Sequence, residues 1–199
     1  TRRYDALNVK YVLVRDGTPL PEGKFEPAFD APGELSVYRN LDFVPRAWLV
    51  HDAVTVPPGT FETTSQNDLA AAKDADPTTT AVVELPDDET LALTPATGDE
   101  AVRELHYGSS SQSWSVEATA PALLVLSETW YPGWQARVNG AAQPVLRVNG
   151  AQRAVDVPAG ASTVELRFLP QPWRWGLILF GAGLVLAAVV MILGRTARR

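Results

Sequence analysis

The segment ALLVLSETWYPGWQARVNGAAQPVLRVNG, Ala122 to Gly150, holds most of what the chain says about its architecture. It opens on a continuous apolar run, Ala122–Leu126, suited to a central β-strand. It closes on the tetrapeptide RVNG, which occurs at Arg137–Gly140 and again at Arg147–Gly150. Asn-Gly readily takes the positive φ angles of a type I′ turn, so two copies this close predict consecutive hairpins in a meander. Between run and turns lie Trp130, Tyr131 and Trp134, interrupted by Pro132-Gly133. Rings of this kind stack on sugars, and Glu128 could accept hydroxyl hydrogen bonds beside them, so Glu128, Trp130, Tyr131 and Trp134 form a candidate glycan or lipid-carrier contact. They equally suit the core of a β-sandwich. Strand alternation sends Trp130 and Tyr131 to opposite faces before the turn, so only some of the three rings can share one surface.

Both flanks extend the all-β pattern. Upstream, SWSVEAT alternates Trp114, Val116 and Ala118 against Ser115, Glu117 and Thr119. Downstream, Ala159-Gly160 supplies a turn, and STVELRF places Val164, Leu166 and Phe168 on one face. Residues 101–172 therefore read as an antiparallel β-sandwich. Residues 1–100 read as a small mixed α/β module. NVKYVLV (Asn8–Val14) is expected as a buried strand, and ELSVYRN and RAWLVHDAVTV (Arg46–Val56) as two more. A short helix is expected between Thr63 and Ala75, and a strand over Thr79–Leu85. The acidic, breaker-rich PDDETLALTPATGDE (Pro86–Glu100) marks the boundary.

The chain ends on GLILFGAGLVLAAVVMIL, Gly176–Leu193, with no charged residue. At about 1.5 Å per residue it reaches roughly 27 Å, near the thickness of a bilayer core, so a transmembrane helix is expected over 173–195. Trp173 and Trp175 precede it as interfacial anchors, and Arg195, Arg198 and Arg199 follow it as a cytoplasmic basic end, with 196–199 as a tail. Residues 1–172 would then be extracytoplasmic. Gly181, Gly183 and Ala187 are small positions that suit packing against other membrane helices. Pro170 and Pro172 predict a stiff joint between sandwich and helix. The expected class is α+β and β-rich: a mixed module, a sandwich, then one membrane helix.

Charge and composition narrow the chemistry. The chain is at −6 overall, and residues 1–172 hold 13 Lys and Arg against 23 Asp and Glu, a net of −10. That balance speaks against nucleic acid and against electrostatic adhesion to anionic lipid. With no Cys there is neither a disulfide nor a thiolate metal site. His51 and His106 lack metal-ligand spacing, the acidic runs at Asp74–Pro77 and Pro86–Glu89 lack a calcium-loop pattern, and Ser109–Ser111 has no nucleophile frame. Neither a P-loop nor a dinucleotide glycine fingerprint is present. No catalytic residue, metal or cofactor site is expected within these residues.

Taken in order, LNVKYVLV, LSVYRNLDFVPRAWLV, TTAVVEL, APALLVLSETWYPGWQARVNG, RAVDVPAGASTVELRFLP and the closing helix resemble the C-terminal part of the YfhO family of bacterial membrane proteins. That resemblance covers nearly the whole chain, which also starts in mid-phrase and reads as part of something longer. It implies a polytopic membrane protein of the GT-C glycosyltransferase type, moving sugar from a polyprenyl-phosphate carrier to a cell-envelope polymer on the outer face of the membrane. In that type the catalytic carboxylate lies in an early extracytoplasmic loop, so no catalytic residue carries over. The implied partners are the remaining transmembrane bundle, the bilayer, and a polyprenyl-phosphate sugar or envelope glycan. The expected role is accessory, binding the acceptor side of a site or forming a lid over it. The alternative is a non-catalytic, membrane-anchored glycan-binding or scaffold module.

Overall fold

A computed structural model describes residues 2–29, 34–64 and 75–196; within the C-terminal helix it describes the side chains of Pro172, Trp173, Trp175–Ala188 and Met191. The elements run α1 (Arg2–Ala6), β1 (Tyr11–Arg15), β2 (Phe25–Phe29), β3 (Leu35–Asn40), β4 (Ala47–Val50), β5 (Asp52–Val56), α2 (Thr60–Thr63) and β6 (Thr80–Glu84). Then follow β7 (Ala101–Tyr107), β8 (Ser111–Ala118), β9 (Ala122–Thr129), β10 (Trp134–Val138), β11 (Ala141–Gln143), β12 (Leu146–Val148), β13 (Gln152–Val157), β14 (Gly160–Phe168) and a final helix, α3 (Gln171–Thr196). The fold is α+β and β-rich, with three sheets.

Two of the sheets form the sandwich. One has the order β11-β10-β14-β8-β7 and the other β4-β9-β13-β12-β6-β5. Alternation does what the sequence pattern demands. Trp114, Val116, Val164 and Leu166 face Leu124, Leu126, Val155 and Val157, all almost fully buried. At about 1.5–3 kcal/mol for each fully buried large apolar side chain, this layer is the main source of stability. The run Ala122–Leu126 lies in β9 between β4 and β13, with every residue buried on one face or the other.

The six-stranded sheet is rolled. β4 and β5 are separated by His51 alone, yet they lie at opposite edges of the sheet. One bent strand therefore closes the roll, pairing with β9 before the bend and, in parallel, with β6 after it. Inside the roll lies a second core containing Trp48, Val50, Val83, Leu123, Val125, Val148 and Ala154. The expected single strand over Arg46–Val56 is thus two, because its halves have different partners. β4, β5 and β6 share this sheet with β9, β12 and β13, so residue 100 does not coincide with a sheet boundary.

Segment α1 plugs the roll through Ala6. Gln152 Nε2 donates to the Ala6 carbonyl (2.7 Å), and buried Asp5 accepts from Lys24 Nζ (2.5 Å) and Asn40 Nδ2 (2.7 Å). The third sheet, β1-β3-β2, has one face largely open. The strand expected to be buried at Asn8–Val14 is β1, and its Tyr11 and Leu13 are 53% and 63% exposed, because no described element covers that face. The helix expected between Thr63 and Ala75 lies mostly outside the described residues; α2 ends where it was to begin.

The two RVNG turns form as expected, with Asn139 and Asn149 at φ 51° and 50° and Gly140 and Gly150 at 83° and 85°. They do not, however, sit in one meander. The first joins β10 to β11 in the five-stranded sheet and the second joins β12 to β13 in the rolled one. Between them the chain crosses from one sheet to the other at Pro144-Val145.

Helix α3 runs from Gln171 to Thr196, and Leu177, Ile178, Leu179, Phe180 and Leu184 are each more than half exposed. Among the described residues no helix is long and apolar enough to cross a membrane. Arg195 lies in the helix with its side chain outside the described set, and Arg198 and Arg199 lie outside the described residues.

Candidate functional site at the helix-bearing end

The sandwich has two ends, and they differ in chemistry. At one lie the tight turns Asn139-Gly140 and Pro158–Gly160, together with Thr119 and the start of β7. At the other lie Trp134, paired with Phe168 at the end of β14, and Tyr107, paired with Gln112. Helix α3 leaves from this second end.

The aromatic corner is the seat of that exit. β14 ends at Phe168 and α3 begins at Gln171, leaving only Leu169 and Pro170 as the joint. The Leu169 N–H donates to the Gly133 carbonyl (2.8 Å), and the Trp173 N–H to the Pro170 carbonyl (3.1 Å). Gly133 has φ +112°, and a Cβ placed there would stand 2.9 Å from Pro170 Cα and 3.2 Å from the Phe168 ring. Only glycine lets the corner and the joint approach so closely. The Phe168 ring lies 5.4 Å from Trp134 and 6.0 Å from Tyr131, tilted against both.

The four corner residues named from sequence go different ways. Trp134 turns inward, and the Arg153 guanidinium stacks on its ring, 3.9 Å from the centroid. Glu128 receives Gln112 Nε2 (2.6 Å) and a short ion pair from Arg153 Nη2. Trp130 lies on the other side, its Nε1 donating to the Val145 carbonyl (3.1 Å) and its ring 5.5 Å from the Arg147 guanidinium. Tyr131 is left outside, 61% exposed. Three of the four are therefore held by neighbours within the chain, and they do not form one platform.

Arg153, 1% exposed, is the residue the sequence reading missed. It falls in phase with Val155 and Val157 along β13, and a charge in register with inward-facing valines was the available signal. Burial pulls its guanidinium below the ordinary arginine value, against the raising pull of Glu128 and then of Tyr107. The Tyr107 phenol is pushed above the usual range by hydrogen bonding to the Glu128 carboxylate and by burial. The Arg46 guanidinium lies over the Tyr107 ring, 3.9 Å from its centroid, so two Arg–aromatic pairs flank Glu128.

His51 and Glu100 form a second cluster toward the turn-bearing end. His51 Nδ1 is 2.7 Å from the Thr94 carbonyl and Nε2 is 2.8 Å from Glu100 Oε2. Both partners are acceptors, and the ring presents one nitrogen to each. Glu100 Oε1 also accepts from Thr119 N–H (2.7 Å) and Oγ1 (2.9 Å). Burial raises the Glu100 carboxyl, but the His51 and Thr119 hydrogen bonds outweigh it, and its pKa falls below the usual value. This clasp ties the Pro86–Glu100 connector to the bend at His51. His106 is far from it, 3.2 Å from Ser111 Oγ.

A depression of about 270 Å³ is lined by Trp48, Leu49, Glu100 and Val102, and one of about 380 Å³ by Val138, Gln143, Asp156 and Pro158. Neither touches the aromatic corner. Among the described residues no cluster of three His, Cys, Asp or Glu could hold a metal ion. No family model matches the chain, and no curated protein or solved structure matches it.

Proposed function

We propose that this chain is an extracytoplasmic β-rich domain carried on a membrane helix, and that its first task is to hold a fixed posture on the membrane. The observation that carries this reading is the joint. Helix α3 follows the sandwich after a two-residue link and carries the uncharged run Gly176–Leu193 beyond Arg174, and that link is hydrogen-bonded and sterically locked to Gly133. A freely tethered binding module would need no such lock; a part that must stand in register with a bundle would. Trp173 and Trp175, 66% and 63% exposed, suit the outer interface, and Arg195, Arg198 and Arg199 suit the cytoplasmic end. Gly183 and Ala187, four residues apart, then give α3 one small-residue face for neighbouring helices of a larger protein, with Gly181 a small position on another side.

Beyond the posture, the resemblance to the YfhO family supports an accessory role in a GT-C-type glycosyltransferase. The domain would sit over the outer side of a site that transfers sugar from a polyprenyl-phosphate carrier to an envelope polymer. A lid or positioning role fits better than a sugar-stacking one, because Glu128, Trp130 and Trp134 are engaged within the domain. Topology is the direct test. The chain has no Cys, so Ala159→Cys and an Arg198→Cys variant can be labelled with a membrane-impermeant maleimide on intact bacterial cells. Labelling of Ala159→Cys on intact cells, and of Arg198→Cys only after lysis, is expected; the reverse pattern, or extraction of the chain by carbonate, defeats the proposal. The glycosyltransferase part fails separately if the gene encodes no further hydrophobic spans of about 20 residues upstream of Thr1.

A further inference from the structure

We infer that the helix-bearing end of the sandwich rests in the headgroup layer of a phospholipid bilayer, with Tyr107 and Tyr131 in contact with lipid. This inference deepens the membrane reading above and rests on it. Its basis is the combination of a short, locked joint with the chemistry of one end.

Phe168 and Gln171 are three residue steps apart, at most about 11 Å, so the end of β14 stands within that distance of the first turn of α3. Pro170 fixes its own φ, and the Leu169–Gly133 hydrogen bond pins the joint to the corner. If α3 enters a bilayer with Trp173 and Trp175 at the interface, the adjoining end of the sandwich cannot stand clear of it. That end displays Tyr131 (61% exposed), Leu169 (47%) and Tyr107 (45%). Tyr131 is suited to such a place, with an apolar ring for the glycerol region and a hydroxyl for the headgroups, whereas Tyr107, its hydroxyl bonded to Glu128, offers its ring alone. Arg46, stacked on Tyr107, and exposed Arg167, next to Phe168, put cations at the level of the lipid phosphates. The opposite end has Asn139-Gly140, Pro158–Gly160 and Thr119, and no large exposed apolar side chain among the described residues of those turns. With the chain at −6, the contact depends on aromatic burial and does not require anionic lipid.

Spin labelling tests this on the full chain in phosphatidylcholine vesicles. Nitroxides are placed singly at Tyr131→Cys, Tyr107→Cys, Leu184→Cys and Ala159→Cys, and collisions with oxygen and with a polar nickel chelate are compared. The expected order is strong nickel protection at 184, a several-fold reduction at 131 and 107, and full exposure at 159, unchanged between low and high salt. Protection at 184 with 131 and 107 as exposed as 159 overturns the inference and leaves the membrane helix standing. Exposure at 184 itself overturns both. Protection at 131 and 107 that vanishes in high salt also overturns the inference, because it would make the contact electrostatic.

Discussion

Gly133 is the residue on which the helix-bearing end depends. At φ +112° an L side chain is strained, and its Cβ would meet the Pro170 backbone at 2.9 Å. Gly140 has a similar φ of +83° but open space around it. Gly133→Ala is therefore expected to cost about 2–4 kcal/mol in denaturant unfolding, strain plus overpacking, and Gly140→Ala only about 1 kcal/mol. Equal losses would mean the joint gives way without cost. Arg153 supports a second expectation. Its Nε and Nη1 have no hydrogen-bond partner among the described residues, so its desolvation is only partly offset by Glu128. Arg153→Met should cost about 3–5 kcal/mol by stranding Glu128, whose side chain is 18% exposed. Adding Glu128→Gln should recover most of that loss, giving a coupling energy of at least about 2 kcal/mol in the double-mutant cycle. Additive losses would show that the pair is not a unit.

The RVNG hairpins show one local element used twice in different surroundings. In each, the Asn Oδ1 accepts a neighbouring strand's N–H: Thr163 at 2.8 Å for Asn139, Val82 at 3.0 Å for Asn149. In each, the Arg side chain donates to the Gly carbonyl, Arg137 to Gly140 and Arg147 to Gly150. What differs is burial, since Thr163 is exposed and Val82 is 1% exposed. β12 and β6 share a single register pair, Val148 with Val83, so the Asn149 side chain substitutes for the missing ladder. Asn149→Ala is expected to cost about 3 kcal/mol and Asn139→Ala about 1–2 kcal/mol, with faster amide exchange at Val82 in the first variant alone. The turns were legible in the sequence because Asn-Gly fixes φ locally. Their assignment to different sheets was not, since nothing in ten residues of alternation says which strand will lie alongside. The same holds at His51, where β-branched residues continue through the bend and the change of partner from β9 to β6 leaves no local trace. Of the corner, the presence of the rings and the divergence of Trp130 from Tyr131 were legible, and the seating of Trp134 against Arg153 was not, because it depends on which strand lies alongside.

The molecule as a whole is a sandwich of a five-stranded sheet and a rolled six-stranded one, with stacked aromatics at the end where the helix leaves and the carboxylates Glu100 and Asp156 toward the turns. Those carboxylates make stability depend on pH in opposite senses. Glu100 has its pKa lowered by the His51 and Thr119 hydrogen bonds against burial, so the native state binds its proton less readily than the unfolded chain. Its contribution is complete above the unfolded carboxyl value of about 4.3 and is lost as pH falls through the lower folded value. Asp156 is raised by burial, with the Val157 N–H only partly opposing it, so the native state binds its proton more readily. Its ionised form opposes folding, and that penalty grows as pH rises from about 3.9 through the folded value. Glu100→Gln should therefore lose about 2 kcal/mol at pH 7 and converge on the parent chain in acid. Asp156→Asn, which keeps an acceptor for the Val157 N–H, should gain stability at pH 7 and likewise converge in acid. Denaturant midpoints of the parent and both variants across pH 3 to 7 check the pair. Parallel curves for Glu100→Gln would show that the clasp at His51 does not hold the connector, and a loss for Asp156→Asn at pH 7 would show that its carboxylate has a partner worth more than its burial costs.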